Sequence, residues 1–264
     1  MTCCLINLPR VLFICTISEG KRAFVSTRGT SNDLSNVDLL KNSQLCTSQL
    51  IQDGKGGAQH IHLSGLFSTV GLQSMNVLNY IKTMKMKNNF TFSLDTQYDA
   101  TQIWKGKENI VLELIQLSDI FLPNHIELIN IAKAYSKEDS EDSEDLESKW
   151  TIEKAMIFFM KNCPTTLIIC KAGKDGAYYG KGLKGKGKGK GEGEATNIND
   201  SKMTDIDLKM KIKNVKTKML SEIECIDTCG AGDCFTACFL YKIVPGMWDA
   251  NENNWYVYII YPNH

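Results

Sequence analysis

The sequence has no net charge, because thirty Lys and Arg residues balance thirty Asp and Glu. No global field therefore draws the chain toward nucleic acid or an acidic membrane surface, and any charged ligand must be met locally. No apolar run approaches the length of a membrane span. The N-terminal MTCCLINLPRVLFICTI is apolar, but it lacks a basic leading segment, is broken by Pro9 and Arg10, and ends without a small-residue cleavage pattern. It reads as a strand and not as a secretory signal. Among the ten cysteines no pair has the Cys-x2-Cys spacing of the common zinc knuckles, so Cys225, Cys229, Cys234 and Cys238 read as buried or capping thiols. Cysteines inside apolar runs such as TLIICK pack as small hydrophobes and point to a reduced, cytoplasmic compartment.

The chain has 264 residues, 43% of them hydrophobic, enough to bury a sizeable core in one large domain or two small ones. Short apolar runs alternate with helical patterns. VLFICTI (11–17) and KRAFVST (21–27), separated by Ser-Glu-Gly, read as a hairpin. HIHLSG (60–65), FTFSLD (90–95), DIFLP (119–123), TLIICK (166–171) and EIECID (222–227) read as strands. Helical spacing covers 72–87, the region near 107–117, Asn124 to about Tyr135, and 151–162. Strand and helix in alternation predict an α/β fold with a mostly parallel sheet covered on both faces, its ligands outside the carboxyl ends of the strands.

Two stretches interrupt this alternation. SKEDSEDSEDLESK (136–149) reads as an acidic, solvated insertion. GKGLKGKGKGKGEGE (180–194), continuing through polar sequence to about Lys218, reads as a disordered low-complexity insertion. Its Gly-Lys repeats are not a phosphate loop, since no Gly-x4-Gly-Lys is followed by Ser or Thr.

The chemistry-bearing stretch is Asp227-Thr-Cys-Gly-Ala-Gly-Asp233. After a strand, Gly230 and Gly232 with Ala231 between them let the backbone turn tightly and present consecutive N–H groups, an anion cradle. The helix that follows adds unpaired first-turn amides and the positive end of its dipole. From these residues alone Asp233 is either a helix cap or a base, and Asp227 either a turn residue or a ligand. Asn124 followed by Glu127 is likewise a capping pattern when read alone.

These residues together resemble the ribokinase-like (pfkB) carbohydrate kinase family, whose signature has the form Asp-Thr-x-Gly-Ala-Gly-Asp. The resemblance implies a three-layer ribokinase-like fold with a small β lid, and 11–35 is similar to part of that lid. It also implies ATP-dependent phosphorylation of a hydroxyl on a small sugar, with Asp233 as general base and the amides around Gly230, Ala231 and Gly232 as anion hole. Asn124 and Glu127 resemble the family's Asn-x-x-Glu motif, which holds a magnesium-phosphate assembly largely through water. Asp227 is similar to a residue that helps bind a monovalent cation such as K⁺ in some members. In ICKAGKDGAYY (169–179), Gly173 and Gly176 match the nucleotide-contacting segment, while Lys171 stands where the family has threonine. The segment 91–104, with Asp95, Tyr98, Asp99 and Trp104, resembles sugar-kinase members more than nucleoside ones. Nothing before Met1 matches the family's Gly-Gly segment, and the end lacks its last nucleotide segment, so a single incomplete domain truncated at both ends is expected. A homodimer of the longer parent is the implied assembly. The alternatives are a nucleoside or other small-metabolite kinase of the same fold, or a catalytically incompetent fragment that acts as a binding protein.

Overall fold

The computed structural model describes residues 60–88, 90–136, 150–182, 211–216 and 230–243, with residue 88 and the strands at 13–18, 21–26 and 258–260 described in backbone only. Asp227, the strand expected at 222–227, the acidic stretch from 137 to 149 and most of the Gly-Lys stretch lie outside the described residues.

Strands β1 (Phe13–Ser18) and β2 (Lys21–Ser26) pair antiparallel as a separate two-stranded sheet, with Ser18 opposite Lys21. The antiparallel pairing expected of the hairpin is therefore present. Among the described residues the main sheet has seven strands. They are β3 (His60–Ser64), β4 (Thr91–Asp95), β5 (Ile120–Phe121), β6 (Leu167–Lys171), β7 (Ala177–Lys181), β8 (Lys213–Val215) and β9 (Tyr258–Ile260), in spatial order 8-7-6-5-4-3-9. Pairs among β9, β3, β4, β5 and β6 are parallel, and β6–β7 and β7–β8 are antiparallel.

Between the parallel strands run α1 (Met75–Asn88), α2 (Val111–Leu117), α3 (His125–Tyr135) and α4 (Ile152–Asn162). Consecutive strands step one way across the sheet, so right-handed crossovers place all four helices on one face. Strand alternation then divides the side chains between the two faces. Leu63, Phe92, Leu94, Phe121, Ile168 and Cys170 join the core built with the four helices. Ile120, Leu122 and Ile169 point the other way and form a second cluster with Leu240 of α5 (Ala231–Ile243), against which Leu167, Phe235 and Phe239 also pack. The sheet is thus covered on both faces, as the alternating pattern predicts.

Three details differ from the sequence reading. The low-complexity insertion does not extend unbroken to 218, because residues 213–215 form β8 on the outer edge of β7. All three are exposed, so an edge strand here has no hydrophobic alternation to reveal it. The C-terminal stretch contributes β9, a run of aromatic and β-branched residues on the outer side of β3. The helix expected near 107–117 is split into a 3₁₀ turn (Lys107–Asn109) and α2, because Gly106, Glu108 and Asn109 all take positive φ. Among the described residues no helix is long and apolar enough to cross a membrane.

Candidate active site

Parallel pairing brings the carboxyl ends of β3 to β6 to one edge, where Asp95, Asn124 and Lys171 emerge from three different strand ends. Asn124 forms a parallel bridge with Lys171, and the Lys171 amide donates to the Pro123 carbonyl at 2.8 Å. The Lys171 ammonium reaches back across β5 to Asp95 Oδ2 at 2.5 Å, with only 14% of the lysine and 3% of the aspartate side chain exposed. Thr236, buried in the second turn of α5, accepts from the same ammonium at 3.4 Å and donates to Asp95 Oδ2 at 3.5 Å. This triad fixes α5 over the strand ends.

Asn124 caps α3 in a reciprocal capping box. Its Oδ1 accepts from the Glu127 amide at 2.9 Å, and Glu127 Oε2 accepts from the Asn124 amide at 2.9 Å. The Asn124 Nδ2 also donates to Glu127 Oε1 at 2.5 Å. The capping reading of this pair is therefore structurally true. Glu127 is nevertheless buried, and burial together with the Asp95 charge pushes its carboxyl up to about 7, against the amide of Asn124 and the ammonium of Lys171, while Asp233 pushes the same way. Asp95, Glu127 and Asp233, far apart in sequence, thus share one electrostatic neighbourhood. An all-oxygen set of carboxylates and amide carbonyls suits a hard divalent cation that keeps part of its water. Among the described residues no three His, Cys, Asp or Glu side chains converge closely enough to hold a metal directly.

Gly230 precedes α5 at φ +73°, a left-handed turn that glycine adopts without strain. Gly230, Ala231 and Gly232 are exposed, and Asp233, in the first turn, is half-buried. A Cβ on Gly232 would first meet the Lys171 ammonium, at 4.0 Å. The expected base, the expected anion cradle and Lys171 therefore lie side by side, and Asp227 lies outside the described residues. Gly173 and Gly176 shape the β6–β7 turn, both at positive φ. Gly176 has a second constraint, since a Cβ there would sit 2.0 Å from the Val215 carbonyl oxygen of β8.

The loop after β4 is organised by Asp99, which accepts from the Thr101 amide and hydroxyl at 2.9 and 2.7 Å and from the Trp104 amide at 2.7 Å. Trp104 is buried edge-on between Phe67 and exposed Tyr98. Asp99 and Trp104 thus build the loop. Sequence reasoning missed the Asp95–Lys171–Thr236 contact, since Asp95 and Lys171 are 76 residues apart and nothing local links them. It also missed a polar stripe on the second face. His60 and His62 of β3 are buried and both reach Ser93 Oγ, at 2.8 and 2.6 Å, and His60 also reaches Thr91 Oγ1 at 2.7 Å. Cys163 and Cys170 are buried, and burial pushes both thiols up to about 12; Cys234 and Cys238, which the spacing read as buried or capping thiols, are instead exposed and free on α5.

No model of a known protein family matches the sequence, and no curated protein sequence does. Solved structures do match. Adenosine kinase from Anopheles gambiae, in complex with P1,P4-di(adenosine-5) tetraphosphate, aligns with a TM-score of 0.59 at 18% identity over 89% of this chain and 56% of its own. Adenosine kinase from Schistosoma mansoni, in complex with 2-fluoroadenosine, gives 0.58 at 20% identity over 89% and 57%. Ribokinase from Giardia lamblia gives 0.54 at 16% identity over 90% and 57%. The chain spans a little over half the length of these structures. The sheet order, its two helical layers and these matches together identify the fold of this chain as the ribokinase-like α/β fold.

Proposed function

We propose that the chain carries the phosphoryl-transfer half of a kinase that moves a phosphoryl group from ATP to a hydroxyl of a small sugar. The observation that carries this reading is the placement of Asp233 in the first turn of α5, beside the exposed Gly230-Ala231-Gly232 turn, next to the strand ends that hold Asp95 and Lys171 and in the electrostatic neighbourhood of Glu127 in the first turn of α3. An aspartate that served only as a cap would not need to stand in the electrostatic neighbourhood of two further carboxylates and a largely buried ammonium.

In this reading Asp233 accepts the proton of the attacking hydroxyl as that oxygen bonds to the terminal phosphorus in line with the departing ADP oxygen. The amides of Gly230, Ala231 and Gly232 and the end of the α5 dipole bear the negative charge on the transferred group. Asn124 and Glu127 would hold Mg²⁺ and its water on the phosphates. When bound, that ion supplies further neutralisation of phosphate charge. Lys171, Gly173 and Gly176 line the nucleotide side, and Asp227 is the residue for a monovalent cation. The sugar and the nucleoside readings share all of this machinery. The sugar reading is preferred on the segment from Asp95 to Trp104.

The test is turnover with ATP over a panel of small sugars and adenosine, for this chain and for Asp233→Asn. General-base assistance is worth about 10²–10⁴-fold, so the variant is expected to lose turnover by that factor while still binding ATP. Unchanged turnover in Asp233→Asn would sink the assignment, and turnover confined to adenosine would exchange the sugar for a nucleoside. A chain that binds nucleotide but shows no Asp233-dependent turnover would be a binding protein.

A further inference from the structure

The second face of β3 and β4 is polar where the strands of a covered parallel sheet are normally apolar. His60, His62 and Ser64 of β3 stand in register with Thr91, Ser93 and Asp95 of β4, and all but Thr91 are buried. Burial keeps both rings neutral at pH 7, so each has one N–H and one bare nitrogen. Ser93 Oγ, which carries a single proton, meets His60 Nε2 at 2.8 Å and His62 Nδ1 at 2.6 Å, and His60 Nδ1 meets Thr91 Oγ1 at 2.7 Å. If both rings donated to Ser93, its own proton would be orphaned. Only two arrangements use every proton of this row, and they run in opposite directions. Both end at His62 Nε2, which is buried and has no partner among the described residues. In one direction that end is a bare lone pair, and in the other it is an N–H. Asp95 decides between them. It lies diagonal to His62 on the same face, its Oδ2 holds the Lys171 ammonium, and its Oδ1 accepts from the Gln97 amide at a long 3.3 Å. A lone pair is repelled by that carboxylate, whereas an N–H is drawn to it. Ser64 Oγ, opposite Asp95, accepts from Gln97 Nε2 at 3.3 Å and has capacity for a further bond.

We propose that Thr91, His60, Ser93 and His62 form a one-way hydrogen-bond relay that continues through one buried water to Asp95, which makes His62 a positioning residue for the carboxylate that holds Lys171. Every donor faces Asp95. The Thr91 hydroxyl donates to His60 Nδ1, His60 Nε2–H to Ser93 Oγ, the Ser93 hydroxyl to His62 Nδ1, and His62 Nε2–H to the water. His62, Ser64 and Asp95 give that water three polar partners, enough to hold it in a buried place. The relay stands on hydrogen-bond geometry, and only its bearing on catalysis rests on the kinase reading above.

The experiment is long-range proton–nitrogen NMR of the imidazole rings in the full chain at pH 7, which reads the tautomer directly and needs no variant to fold. Both His60 and His62 are expected with the proton on Nε2. A proton on Nδ1 of His62 reverses the relay and overturns the inference. Coupling to Asp95 is read from hydrogen exchange of the Lys171 ammonium in His62→Gln and His62→Asn. The glutamine amide reaches the level of Nε2 and restores the terminal donor, whereas the asparagine amide stops at the level of Nδ1. Exchange is expected near wild type in His62→Gln and about tenfold faster in His62→Asn, the equivalent of one lost hydrogen bond. Equal exchange in the two variants means that His62 only fills space and overturns its positioning role. Neither readout involves turnover, so failure of the relay and failure of the kinase reading are separate results.

Discussion

Acidification should destabilise the fold through the two histidines of β3. His60 is pushed down to about 4, chiefly by burial, then by His62 and Lys85, against the attraction of Asp119. His62 is pushed down to about 4, again chiefly by burial, with Asp95 and Lys171 acting in opposite directions. Both rings are neutral in the folded protein at neutral pH, and both regain the ordinary value of 6.5 on unfolding. Between those two values the unfolded chain binds more protons than the folded one, so stability is full above about pH 6.5, falls as pH drops, and levels off below about 4. From pH 7 to pH 5 each ring contributes a loss of about 2 kcal/mol, roughly 4 for the pair. Glu127 opposes this. Its carboxyl is raised to about 7, so the folded state takes up its proton first, and acidification over the same interval returns about 2 kcal/mol. The net expectation is a loss of about 2 kcal/mol, a large share of a typical domain's stability. Urea midpoints at pH 7 and pH 5 measure it. Replacing both histidines by Gln keeps hydrogen-bonding side chains on the strand and should reverse the slope, leaving only the gain from Glu127. Glu127→Gln should steepen the loss to the full histidine value. A wild-type midpoint that rises on acidification, or a double histidine variant with the wild-type slope, would refute the assignment of two neutral buried imidazoles.

Two further changes probe the frame of the site. Asn124→Ala removes the capping box of α3 and should cost about 1 kcal/mol in denaturant unfolding; an unchanged midpoint would mean that the cap contributes nothing. Gly176→Ala places a methyl group 2.0 Å from the Val215 carbonyl oxygen at a backbone φ of +87°, so it should detach β8 from β7 and speed hydrogen exchange at Tyr179 and Val215, with exchange in α2 unaffected. Protection at those amides equal to wild type would show that β8 does not depend on this close approach.

Much of the frame is legible in one dimension because its signals are local. TLIICK, FTFSLD and HIHLSG become strands, and the helices at 75–88, 125–135 and 152–162 fall within a few residues of their periodic patterns. Asn124 and Glu127 signal a helix start through three-residue spacing, and the capping box forms as that spacing requires. The glycines at 173, 176 and 230 mark positions of positive φ. Where local signals are weak, the sequence reading loses the element. β8 is a polar edge strand with all its side chains in water, and the break before α2 depends on positive φ at Glu108 and Asn109, residues that do not announce it.

By itself, then, the sequence determined most of the strands and helices, the two-faced, mostly parallel sheet and the glycine turn before α5, since these follow from periodicity, caps and backbone freedom within a few residues. Only the tertiary structure decided which residues meet. Strand order carried Asp95 across β5 to Lys171 and placed Thr236 of α5 over both, and parallel register stacked His60 and His62 against Ser93 in a buried polar stripe. Those contacts join residues tens of positions apart through the sheet, and pairing between distant strands leaves no trace in the spacing of either one.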